Sequence, residues 1–351
     1  MKKVLKGFGI LLLVLLLAAA GLFTWLCVTE YKPAPVESME ISAQGELGQV
    51  DPGEELRILD WNIGYAGLGA GSDFFMDGGK DVRSADEAQV LRYLDGIKAS
   101  IQALEPDVVM LQEVDLDSGR TYRINEADYL ALDASTHAMN YACDFVPIPL
   151  PPMGRIYSGV FTTTRGLQID EAERISLPCP FQWPVRVANI KRCLLASYLP
   201  IEGSDKYLVA VNLHLEAYDS GEGKIAQTKV LKEFIEGEYA KGNYVVAGGD
   251  FNQIFPGGLE AFPNTHQELW TPGLLEEDML AEGWRFAYDL KVPSCRLLNQ
   301  PYNPADVENT QYYAIDGFIL SPNVELVAVE GVDLGFADSD HNPVLLSVKL
   351  K

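Results

Sequence analysis

Positive charge is scarce in this chain. Its 351 residues hold 27 Lys and Arg against 50 Asp and Glu, a net charge of −23. Lys2, Lys3 and Lys6 stand at the start and no acid precedes Glu30, so the rest carries 24 basic and 50 acidic residues, a balance of −26. A domain of that sign repels polyanions at long range, and a binder of polymeric nucleic acid would need a local basic strip against this background. Histidine is scarcer still: His137, His214, His266 and His341 are all there are. The five cysteines are Cys27, Cys143, Cys179, Cys193 and Cys295, and their spacing excludes a zinc-ribbon or zinc-finger pattern. The four beyond Cys27 are open to two readings, disulfides of an exported domain or buried free thiols. Wholesale disorder is excluded by 48% hydrophobic and 22% charged residues. No internal repeat is visible.

What is present begins with an apolar run. Gly7 to Val28 contains no charge. At about 1.5 Å per residue it spans a hydrocarbon core of roughly 30 Å. The preceding lysines keep its start in the cytoplasm and leave the rest of the chain outside. The rival reading is a cleaved signal peptide with Ala18, Ala19 and Ala20 at the cleavage site, although Phe23, Trp25 and Leu26 prolong the run beyond it. Either way the domain is exported. The expected division is 1–28 as anchor or signal peptide, 29–53 as an extended linker with Pro33 and Pro35, and 54–351 as one catalytic domain.

Within that domain, buried strands are expected over Leu56 to Gly64, Asp107 to Gln112, Tyr157 to Thr164, Leu194 to Leu199, Tyr207 to Leu213 and Tyr244 to Ala247. Ala314 to Leu320, Val324 to Val332 and Pro343 to Val348 complete the pattern. Helices are expected over Ala85 to Leu104, capped by Ser84, and over Lys224 to Tyr239. This mixture suggests an α+β or α/β sandwich. Polar residues recur where these strands end: Asn62, Glu113, His214, Asp250 with Asn252, Asp316, and Asp340 with His341. Carboxylates, amides and imidazoles on one scaffold are the inventory of a hard-metal phosphoryl-transfer site, because Mg²⁺ takes oxygen ligands and the reaction needs an in-line water and neutralised charge.

The ordered series WNIG, LQEVD, NLHLEAY, GGDFNQ, YAIDGFIL and SDHNPVLL resembles the motifs of the endonuclease/exonuclease/phosphatase superfamily, from Leu56 to the C-terminus. QE after a strand says little alone. GDFN and SDH, in order and after QE, are specific. The resemblance implies a four-layer α+β (α/β) sandwich of the deoxyribonuclease I type, with two packed mixed β-sheets flanked by helices, here preceded by one transmembrane helix. It implies Glu113 as the principal metal ligand, with Asn62 beside it and Asp340 as a further metal-site acid. Asp250 would activate the attacking water, Asn252 hold water and phosphate, and His341 donate to a phosphate oxygen with Asp316 orienting it. His214 would stand near the leaving group. The implied cofactor is Mg²⁺, with Mn²⁺ accepted by the same oxygen ligands.

His137 and His266 fall in no motif and are expected to be structural or at the surface. Arg192 (with Lys191), Arg296 and Tyr157 (with Ser158) are placed to touch substrate, or else to pack. Phe145 to Gly154 and Leu177 to Pro184 are Pro-rich apolar stretches, open to lipid contact or to packing over the sandwich edge. Gly67 to Gly79 reads as a mobile lid or a plain connection. The expected activity is hydrolysis of a phosphodiester or phosphomonoester outside the cytoplasm. The alternatives are an extracellular nuclease, a phospholipid-headgroup phosphodiesterase, and an inactive binding module, against which the complete residue set argues.

Overall fold

The computed structural model describes residues 2–84, 86–146, 152–219, 221–266 and 268–351. Residues 147–151, within the first Pro-rich stretch, lie outside it. The strands, in chain order, are β1 (Val36–Ser38), β2 (Ile41–Ala43), β3 (Leu56–Asn62), β4 (Val108–Asp115), β5 (Ala134–Val146), β6 (Gly154–Thr164) and β7 (Glu171–Ser176). Then follow β8 (Cys193–Pro200), β9 (Tyr207–His214), β10 (Tyr244–Asp250), β11 (Gln253–Ile254), β12 (Gly273–Leu274) and β13 (Arg285–Ala287). The last are β14 (Cys295–Arg296), β15 (Tyr312–Tyr313), β16 (Asp316–Leu320), β17 (Val324–Gly331) and β18 (Val344–Leu350).

One seven-stranded sheet runs β1-β7-β8-β9-β10-β16-β13 and the other β17-β18-β3-β4-β6-β5-β2. Each is antiparallel apart from one parallel pair, β9 with β10 and β3 with β4. Alternation along the strands divides their side chains between two faces. Ile58, Val108, Met110 and Leu346 point inward and meet Leu208, Ala210, Val246 and Phe318 of the facing sheet. The intervening Leu59, Trp61, Val109 and Leu111 point outward beneath α2 (Glu87–Leu104), which contributes Val90, Leu94, Ile97 and Ile101. A short α3 (Glu126–Leu130) lies on the same side. On the opposite flank α4 (Glu222–Ala240) sets Leu231 and Ile235 on Val209, Val211 and Val245. The result is the expected helix–sheet–sheet–helix sandwich.

Two expectations need correction, and two open readings are decided. Asp86, not Ser84, caps α2: its carboxylate accepts from Gln89 N at 2.7 Å, and Ser84 lies two residues too early. Residues 29–53 are extended but not a free tether, because β1 pairs with β7 and β2 with β5, adding an edge to each sheet. Val50 is buried in the inner core. The loop after Gly67 is pinned: Arg296 Nη2 donates to the carbonyls of Leu68, Gly69 and Ser72. All five cysteines are free thiols. Before the sandwich comes α1 (Lys2–Val28), long and apolar enough to cross a membrane and almost wholly exposed.

A buried polar network ties the two sheets. Pairing of β4 with β6 shifts register between Leu111 and Val114. Asn212 of the facing sheet donates to Leu111 O at 3.1 Å and Phe161 O at 2.9 Å, and accepts from Gln112 Nε2, which also donates to Asp60. Asn212→Ala removes three bonds at a site with no room for bulk solvent. It should cost roughly 2–4 kcal/mol and lower the thermal midpoint by several degrees. A wild-type melting curve by circular dichroism would show that the network contributes nothing.

Candidate active site

The inward row of each central strand begins apolar and ends at a polar residue. Ile58, Asp60 and Asn62 form one such row; Val246, Gly248 and Asp250 form another. Register then aligns the ends. Asp250 pairs directly with His214 across β9 and with Asp316 across β16. From the other sheet Asn62 lies beside Gln112, and Glu113 follows at the register shift with φ +56°. The bulge turns Glu113 toward the cleft, where its side chain keeps 27% exposure. Glycine is required nearby at two points. A Cβ on Gly249, φ +148°, would lie 1.9 Å from Leu213 O, and one on Gly64, φ +50°, would lie 2.7 Å from Asp340 Oδ1.

Asn62 joins the halves of the site. Its Nδ2 donates to Glu113 Oε1 at 3.3 Å and to Asp250 Oδ2 at 3.1 Å, while its Oδ1 accepts from Gly64 N at 3.0 Å. Asp250 Oδ1 accepts from Asn252 N at 2.8 Å, and Asn252, at φ +50°, donates through Nδ2 to Leu215 O at 2.9 Å. His214 Nε2 stands 3.5 Å from Asp250 Oδ2 and 3.9 Å from Glu113 Oε1. His341 Nδ1 is 2.8 Å from Asp316 Oδ2, and its Nε2 is 3.9 Å from both Asp250 Oδ2 and Asp340 Oδ2. All the residues expected to carry the chemistry therefore converge.

Burial and neighbouring charge separate their protonation. Burial works against the His341 imidazolium, but the Asp316 carboxylate, with Cys295 and Asp340, outweighs it and holds the ring well above the ordinary histidine range. His214 is pushed well below that range by burial, then by Arg192 and His341. Asp250 is pushed up to about 7 by burial and by Asp316, and Asp340 to about 7 by burial, with Glu113 adding to it. Asp60, in the network behind, is held well above the usual carboxylate range by burial and Asp316.

Support residues escaped sequence reasoning. Ser294 Oγ donates to Asp316 Oδ2 at 2.7 Å and accepts from Ile315 N and Asp316 N. Ser339 Oγ donates to Asn62 O at 2.8 Å and accepts from His341 N, tying the end of β3 to the loop that leads into the adjacent β18. Trp61 Nε1 donates to His341 O. Arg120 forks onto both Asp115 oxygens at 2.8 and 2.9 Å and stacks over Tyr65, bracing the chain just beyond Glu113. Ser339 had a signal, since it opens the SDH motif. Ser294 and Arg120 stood in no motif.

The convergent groups line a cavity of about 650 Å³. Of the weaker candidates, Arg192 lines it, buried, with Nε 3.9 Å from Glu216 Oε2 and no hydrogen bond at Nε or Nη1. Arg296 is in the wall, but its Nη2 is engaged by the loop carbonyls. Tyr157 is not in the lining. Its hydroxyl donates to Asp144 and its ring lies under Arg155, whereas its neighbour Ser158 faces the cavity. His137 sits against Phe161 with Nε2 3.3 Å from Val114 O, His266 Nδ1 is 3.5 Å from Glu268 Oε1, and neither lines the cavity.

The same elements recur in known proteins. A model of the endonuclease/exonuclease/phosphatase family matches residues 61–341. The chain belongs to this family. Its members are metal-dependent phosphoesterases, hydrolases of phosphoester bonds. The fold is similar to that of an endonuclease/exonuclease/phosphatase from Beutenbergia cavernae DSM 12333, with 20% identity, 84% of this chain and 72% of that chain covered, and a TM-score of 0.52. Two further structures of the family have TM-scores of 0.52. The one from Bacteroides vulgatus has 16% identity over 85% of this chain and 100% of that one. The one from Bacteroides thetaiotaomicron has 14% identity over 85% and 98%. Such identities establish the fold. No curated protein matches the chain.

A metal fits the donor set. The Glu113 and Asp250 carboxylates meet at the Asn62 amide, His341 Nε2 stands 3.9 Å from both Asp250 and Asp340, and among the described residues no Lys or Arg forms an ion pair with any of the three carboxylates. Such a concentration of negative charge is the usual setting for a hard divalent cation. Asp250, Asp316 and His341 also bring ligand atoms within 4.8 Å of one another, but the last two already bond each other.

Proposed function

We propose that the chain hydrolyses a phosphate ester, a phosphodiester or a phosphomonoester, outside the cytoplasm by direct attack of water. The observation that carries this reading is the convergence of Glu113, Asp250, Asp340, His214 and His341 at the base of one cavity. Glu113, with Asn62 and Asp340 beside it, would hold Mg²⁺, or Mn²⁺ in its place. When bound, the cation would supply charge neutralisation at the phosphate oxygens.

The remaining steps belong to side chains. Asp250 accepts the proton of the attacking water, and Asn252 holds that water and the phosphate. Doubly protonated His341 donates from Nε2 to a phosphate oxygen as charge builds there, while Asp316 and Ser294 fix the ring from behind. Neutral His214 stands by the leaving group. Arg192 reaches the cavity as a cation for a phosphate oxygen, with Arg296 and Tyr157 as lesser candidates. Residues 1–28 anchor the chain in the membrane, 29–53 lead from the anchor along an edge of each sheet, and 54–351 carry the catalytic groups. The nuclease alternative is weaker because the domain balance is −26 and the cavity is not basic.

The test is the full chain in detergent, with bis-p-nitrophenyl phosphate, p-nitrophenyl phosphate and DNA in parallel, in Mg²⁺, Mn²⁺ or EDTA. Turnover of an ester that EDTA abolishes is expected. Turnover that persists in EDTA, or none on any ester, would overturn the proposal.

A further inference from the structure

The cavity is larger and more apolar than the chemistry at its base requires. Beyond the catalytic groups its walls are Tyr141, Val146, Met153, Ile156 and Ile190 on one side. On the other side are Tyr65, Leu68, Phe74 and Leu298. A phosphate and a cation held by Glu113, Asp340 and His341 would leave these walls uncovered. An apolar wall of this extent left to water is unfavourable, by roughly 25 cal/mol for each Å² exposed. Ligand cavities of this size normally bury most of their ligand.

The cavity also ends at a particular place. Phe23 and Leu26, from the last two turns of α1, form part of its lining. Leu26 is the buried residue of that helix, and the Phe23 ring meets Trp183 edge-on at 5.4 Å. Trp183, which meets Phe23, and Val185, which lines the cavity in the turn packed on α1, are each 59% exposed. A transmembrane helix and aromatic residues at its terminus are the features of a membrane–water interface. The cleft thus runs from a phosphate-ester site to the level where an apolar chain would leave a bilayer. Because α1 supplies part of the wall, the same geometry favours its retention over its cleavage.

We propose, building on the phosphoesterase reading, that the substrate is a phosphate ester carrying an apolar chain, drawn from the membrane that holds α1, with the chain lying in this cavity. The reaction balances without a co-reactant: water forms the new P–O bond, the ester P–O bond breaks, and the proton taken from water ends on the leaving oxygen. Neither a nucleic acid strand nor a small sugar phosphate would use the apolar walls.

The experiment is binding and turnover by the full chain in nanodiscs. Alkyl phosphonates from ethyl to octyl are titrated in Mg²⁺ and followed by tryptophan fluorescence, since Trp270 lines the cavity. Empty nanodiscs correct for partition into lipid. Affinity should rise about 2–4-fold per methylene, the value expected for partial to full burial, and Ile190→Asp should flatten the series. If that variant fails to fold, the wild-type series decides alone. Affinity independent of chain length would overturn the inference, whether or not bis-p-nitrophenyl phosphate is cleaved. Chain-dependent binding without any ester hydrolysis would instead keep the apolar-chain ligand and sink the catalytic reading.

Discussion

His341→Ala should lower kcat by about 10²–10³-fold, the range for loss of one donor at developing oxyanion charge. The ring is buried, and Asp316, 2.8 Å away, holds it well above the ordinary histidine range. Its Nε2 faces the cleft between Asp250 and Asp340, each at 3.9 Å. The substitution removes the donor and leaves the backbone contacts of residue 341 to Trp61 and Ser339. Ser294 still donates to Asp316, so folding should survive with a modestly lower melting midpoint. Asp316→Asn should give a smaller loss and shift the basic limb of the kcat pH profile downward, because the imidazolium loses the charge that sustains it. Full activity in His341→Ala would remove the residue from the mechanism.

Glu113→Gln should weaken metal binding by at least 10–100-fold, the range seen when a ligand's supporting partner alone is lost. The change keeps shape and spares the φ +56° backbone, since glutamine is no more strained there than glutamate. Isothermal titration with Mg²⁺ and Mn²⁺ reads the effect, and unchanged affinity would exclude Glu113 as a ligand. The wild-type titration carries a second signature. Asp250 and Asp340 are each pushed up to about 7. A cation and a proton compete for the Asp340 oxygens, and a cation beside Asp250 disfavours the proton there, so apparent affinity should climb as pH rises through 7 and level off above it. Buffers of different ionisation enthalpy would report the protons released.

Much of this was visible in the sequence because the physics is local. A buried run ending in a polar residue marks a strand tip, and Asn62, Asp250 and Asp316 were found that way. Their convergence followed from ordered motifs that resemble a family, not from spacing. β5 was missed because ASTHAMNYACDFV alternates small and polar residues and offers no apolar run, although pairing with β6 buries half of it. β7 was missed because half of EAERIS is charged. The tether became two edge strands because unpaired sheet edges recruit nearby extended chain. Ser294 lies 22 residues from the carboxylate it serves, and Arg296 is 227 residues from the Gly69 carbonyl it holds. Such contacts exist only after folding. Tyr157 was placed in the right strand, but the two-residue period turns Ser158, not Tyr157, toward the cavity.

The inward rows that begin at Ile58, Leu208 and Val246 and end at the site have a consequence for motion. Opening fluctuations cost most where apolar packing is densest and least where few such contacts exist. The far ends of these strands, where Ile58, Leu208 and Val246 interlock, are therefore the last part of the sandwich to open, and they keep the two sheets in register behind the site.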